Sequence, residues 1–91
     1  MAVFAIIASS APQLLKAAVT TQYGASHFQF TDNVWFVSDT GTTKDVADKL
    51  GISDGKVGAL GAVLQFGAYS GRATGSVWTW MQQFPETRPN G

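Results

Sequence analysis

With 91 residues the chain is long enough for one domain, near the lower limit at which a core holds without staples. It has no cysteine, which excludes disulfides and thiolate metal sites, and its six basic and six acidic residues are scattered and cancel, which counts against nucleic acid or an acidic membrane held by charge alone. Only 13% of residues are charged against 45% hydrophobic, where soluble domains have about 25% charged, so part of the surface is not expected to face water.

Residues 2–8, AVFAIIA, are a continuous apolar run of the kind found in a central strand covered on both faces. No basic stretch precedes the run and it is too short to span a bilayer, so it reads as a strand, and the expected setting is cytoplasmic, without a membrane. Ser9 or Ser10 is placed to cap a helix with Pro12 in its first turn. Leu14, Leu15, Ala18, Val19 and Gln22 follow at helical spacing, and Gly24 ends the helix.

Residues 26–38 read as a hairpin, with Phe28 and Phe30 on one face, an Asp32-Asn33 turn and a β-branched and aromatic return strand. A second helix follows: Thr42 with Asp45 resembles a capping box, Val46 and Leu50 form the buried stripe, and Gly51-Ile52 suits a left-handed C-cap. Two i, i+4 pairs, Lys44 with Asp48 and Asp45 with Lys49, are expected on its solvated face. Asp54-Gly55 makes a turn and 56–66 the fourth strand. After a glycine-rich loop, Val77, Trp80, Met81 and Phe84 share one side of a short helix stopped at Pro85. One domain over 1–85 and a flexible tail over 86–91 are expected.

This order predicts an α+β, ferredoxin-like βαββαβ fold: a four-stranded antiparallel sheet with two principal helices on one face, plus the short C-terminal helix. Three of the strands are apolar on both faces: Phe4 and Ile6 against Val3 and Ile7, Val34 and Phe36 against Trp35 and Val37, Val57 and Val63 against Leu60 and Leu64. Two helices cannot cover both faces. The second is therefore assigned to the C-terminal helix, to another subunit, or to both, predicting a homodimer or larger assembly through the open sheet face or the 56–66 edge.

The chemistry-bearing candidates are few. Residues 42–60 allow a helix-turn-helix alternative, with Ala47, Gly51, Ile52, Val57 and Leu60 at its packing positions and Ser53 opening the second helix. Against it, Gly55, Gly58 and Gly61 would each cost that helix about 1 kcal/mol relative to alanine. Its lysines 44, 49 and 56 are also matched by Asp45, Asp48 and Asp54. Asp32 and Asp39 flank one strand roughly 20 Å apart, too far for joint acid–base work. His27, the one histidine, stands beside Ser26 without an evident orienting carboxylate, and reads as a surface or dimer contact.

The best ligand candidate is the loop that joins the last strand to the last helix: Tyr69, Ser70, Gly71, Arg72, Thr74 and Ser76. Glycines let backbone amides approach a ligand, Arg72 offers a fork of donors, and a helix start adds partial positive charge, a set suited to phosphate or carboxylate. The spacing is neither GxxxxGK[ST] nor GxGxxG, and the same residues also serve as a turn, a cap and a subunit contact. No cofactor and no metal are called for.

Two stretches, VWFVSDTGTTKDVADKLGI and YSGRATGSVWTWM, together with the element order, resemble the small ferredoxin-fold bacterial proteins of the Cas2, VapD and SinR-like group. The resemblance implies a dimer and, for some members, RNA or DNA cleavage or binding. Its nucleases place an acidic residue at the end of the first strand, where this chain has Ala8-Ser9-Ser10, so that activity is not carried over. The leading expectation is a non-enzymatic, self-associating module that takes a small anionic or nucleotide-like ligand, or a protein partner, beside 69–76. The alternatives are a degenerate Cas2-like metal-dependent nuclease and a helix-turn-helix DNA-binding regulator.

Overall fold

The computed structural model describes residues 2–69, 75–83 and 88–89. The unbroken apolar run forms strand β1, Ala2–Ala8, and β3, Val34–Asp39, and β4, Gly61–Gln65, pair with it in antiparallel fashion on either side. Strand β2, His27–Thr31, completes an α+β fold whose four-stranded antiparallel sheet runs β2-β3-β1-β4. Helix α1, Pro12–Tyr23, follows β1, and helix α2, Thr43–Leu50, follows β3.

Alternation sorts the core into two layers. Phe4, Ile6, Trp35 and Val37 project to one face and bury against Leu15 and Val19 of α1 and Val46 and Leu50 of α2. Val3, Ala5 and Phe36 project to the other, where Val77 and Met81 of helix α3, Gly75–Met81, cover them with Trp80 partly buried beside. The C-terminal helix thus supplies part of the second cover, and its expected Val77, Trp80 and Met81 side is the inward one. Phe84 lies outside the described residues. Two short strands, β5, Ala68–Tyr69, and β6, Arg88–Pro89, pair in parallel, the latter being the described part of the 86–91 tail.

The caps of α2 match their residues. Thr42 Oγ1 accepts from Asp45 N at 3.2 Å and Asp45 Oδ2 accepts from Thr42 N at 2.8 Å, a reciprocal pair in which the cap side chain alone is worth about 1 kcal/mol. Gly51 closes the helix at φ 75°, a conformation that disfavours any side chain.

Three expectations are corrected. Neither Ser9 nor Ser10 caps α1: its N-cap is Ala11, in the left-handed region at φ 43°, and Ser10 Oγ instead accepts from Leu60 N at 2.9 Å. The hydroxyl is used to tie the start of β4 to the end of β1. The fourth strand starts at 61 rather than 56, because Gly55 and Gly58, at φ 75° and 78°, curl the chain into turns that no extended strand accommodates. Those turns also stand where the second helix of the helix-turn-helix alternative was expected, and no helix opens at Ser53. Gly61 then passes so close to β1 that a β-carbon there would stand 2.8 Å from the Ile7 carbonyl oxygen.

Candidate functional site

Of the loop expected to bind an anion, Ser70, Gly71, Arg72 and Thr74 lie outside the described residues. The backbone of Tyr69 ends β5, and Ser76 stands exposed in the first turn of α3, so the loop spans the joint between a strand and the helix that covers the second face.

The densest polar constellation in the described structure lies elsewhere, at the end of β3. Asp39 shares the inward face with Trp35 and Val37 and is only 4% exposed. Three donors converge on its carboxylate: Tyr23 Oη at 2.8 Å from the end of α1, Lys49 Nζ at 2.7 Å from the last turn of α2, and the Gly41 amide at 2.8 Å. Lys49 Nζ also lies 6.0 Å from the Tyr23 ring centroid. Burial alone would push the Asp39 carboxyl up, but the hydrogen bonds from Lys49, Gly41 and Tyr23 outweigh it and hold it below the usual carboxylate range. Burial, then the bond to Asp39, drives the Tyr23 phenol well above its ordinary value.

The chemistry of this cluster follows from its saturation. A carboxylate held ionised by three donors is a poor proton acceptor, and a phenol pushed upward donates a hydrogen bond rather than attacking as phenolate. The cluster ties α1, β3 and α2 together at one end of the sheet. It also corrects an expectation, because Asp45 is committed to the cap of α2 and Lys49 reaches Asp39 instead of forming the i, i+4 pair. The Lys44–Asp48 pair forms as expected, at 2.9 Å.

Between α1, α2 and the turn after α2 lies an open groove of about 440 Å³, with Thr21, Gln22, Lys49, Asp54 and Lys56 on its walls. Its lysines are already matched: Lys49 by Asp39, and Lys56 by Asp54 at 3.7 Å. Pairing leaves the groove without a net positive field for an anion. His27 is engaged locally, its Nδ1 donating to the Gly24 carbonyl in the short turn after α1. Among the described residues no three His, Asp or Glu side chains converge as a metal site, and no helix is long and apolar enough to cross a membrane.

The Asp39 cluster escaped the reading of motifs, yet its signal was present. Asp39 continues the i, i+2 row of Trp35 and Val37, so alternation alone places a carboxylate on a buried face, and such a group requires donors. Trp35 shows the opposite case: among the described residues its buried Nε1 has no hydrogen-bond partner, a cost of about 1–3 kcal/mol that burial of the large ring offsets.

Comparison with protein-family models, with characterised proteins and with solved structures finds no match to this chain.

Proposed function

We propose that the chain is a small, non-enzymatic, self-associating module of ferredoxin-like topology. The topology is supported by helices that follow the first and third strands and by the antiparallel order β2-β3-β1-β4, which places the first and third strands side by side at the centre. Self-association is carried by one observation: on the sheet face that α3 covers in part, Ile7, Phe30 and Leu64 remain 40%, 43% and 48% exposed. Ile7 lies across from Ala62 and Val34, Leu64 across from Ala5, and Phe30 stacks on Phe36 at 5.0 Å, so all three belong to one face. Large apolar side chains gathered in this way gain free energy when a second surface excludes water from them.

Sedimentation equilibrium is expected to return twice the chain mass at micromolar concentration. Leu64→Glu replaces a buried contact by a charge and is expected to weaken association by about 2 kcal/mol, roughly thirtyfold in Kd. A wild-type chain that stays monomeric at micromolar concentration contradicts the reading.

The ligand part of the proposal rests on the donor chemistry of the 69–76 loop, and inorganic phosphate is the probe. Phosphate is expected to raise the melting temperature of the wild type, with the shift lost in Arg72→Ala. If the shift is absent, or survives that substitution, the loop is not the anion site.

A further inference from the structure

We infer that two copies of the chain join edge to edge through β4, antiparallel about a two-fold axis at Val63. The inference deepens the self-association reading and rests on it.

Among the described residues the sheet ends at β2 on one side and β4 on the other. The two edges differ. In β2 the register slips between Gln29 and Thr31, and the Gln29 side-chain amide donates to the Thr31 carbonyl at 3.3 Å, so the edge is kinked and partly occupied. Bulges of this kind protect an edge from pairing. Strand β4 pairs with β1 in continuous register from Gly61 to Gln65 and carries no proline and no charge.

The hydrogen bonds that flank β4 reveal which of its backbone groups are turned outward. Phe66 N donates to Val3 O at 2.8 Å, and Ser9 N donates to Leu60 O at 2.9 Å. Bonded partners alternate along an antiparallel ladder, so residues 60, 62, 64 and 66 face β1, and the N–H and C=O of Gly61, Val63 and Gln65 face away from it.

That outward row is complementary to itself. With Val63 opposite Val63 of the second copy, Gly61 falls opposite Gln65 and Gln65 opposite Gly61, and all six outward N–H groups of the two strands find carbonyls. The side chains agree with this register. Gln65 meets a residue with no side chain, Leu64 meets the small Ala62, and the one self-contact is between apolar valines. No charged residue lies between Lys56 and Arg72, so no like charges are brought together across the axis. A second copy therefore matches this edge in length, register and charge, and the eight-stranded sheet it creates sets its Ala62 beside Leu64.

Val63→Pro tests the edge directly. It removes an N–H that points away from β1, and proline is tolerated at such edge positions. The variant is expected to keep the wild-type circular dichroism but to sediment at single-chain mass, its Kd raised at least tenfold. The double variant Ala62→Cys/Leu64→Cys introduces thiols into a chain that has none. Positions 62 and 64 oppose each other in non-bonded pairs, where side chains lie closest, so mild oxidation is expected to yield a covalent dimer. A wild type that never dimerises overturns both this inference and the self-association reading. A dimer that persists in Val63→Pro and does not cross-link leaves self-association standing and overturns the edge. If Val63→Pro does not fold, the cross-link decides: covalent dimer supports the pairing, and none refutes it.

Discussion

Asp39→Ala is expected to lose about 2–3 kcal/mol of stability, read as a lowered urea midpoint with little change in slope. The substitution strips the Tyr23 hydroxyl and the Gly41 amide of their acceptor and leaves Lys49 without its counter-charge. The loss falls below the range of about 3–5 kcal/mol for fully buried broken pairs because the Lys49 side chain is 50% exposed and regains water. The pH dependence has a definite sign. Folding holds the Asp39 carboxyl below its ordinary value of about 3.9, so its contribution is complete above that pH and is lost as pH falls through the lower, folded value. Asp39→Asn, compared with the wild type in a pH series, should lack this acid-side loss. Equal slopes for the two proteins below pH 4 would show that the carboxylate is not the titrating latch.

Phe4→Ala is expected to be the more damaging core change. Phe4 is fully buried between β1 and the α1–α2 layer, and its truncation removes a large side chain from a site walled by secondary structure on both sides. Such changes cost about 3–5 kcal/mol, against a total of about 5–15 kcal/mol for a domain of this kind. The melting temperature should fall by about 12 °C or more. Ile7→Ala lies on the same strand but on the opposite, half-exposed side, and should cost the folded chain less than about 1 kcal/mol. If Ile7→Ala were as harmful as Phe4→Ala, the assignment of the two faces would be wrong.

Much of the architecture was legible because it is written in local patterns. The apolar run of β1, the Asp32-Asn33 turn, the Thr42–Asp45 box and the Gly51-Ile52 cap each have a short-range cause that survives in the structure. The inward side of α3 was equally readable from Val77, Trp80 and Met81. What misled was tertiary. Residues 56–60 look like strand, but the positive φ at Gly55 and Gly58 spends them on turns. Ser10 looks like a cap, but fifty residues later the Leu60 amide needs its hydroxyl more. Lys49 looks paired with Asp45, four residues back, until Asp39 and Tyr23 are brought to it from two other elements. Of the 69–76 site, only the β5 backbone at Tyr69 and the α3 start at Ser76 are described.

Amide hydrogen exchange along β4, followed by NMR at low and high protein concentration, separates an edge paired with a second copy from a free one. Ala62 and Leu64 donate toward β1 and should be protected at every concentration, whereas Gly61, Val63 and Gln65 should exchange freely in dilute samples and become protected as the dimer fills. Outward amides that exchange equally fast at both concentrations, in samples whose mass has doubled, would contradict pairing through this edge.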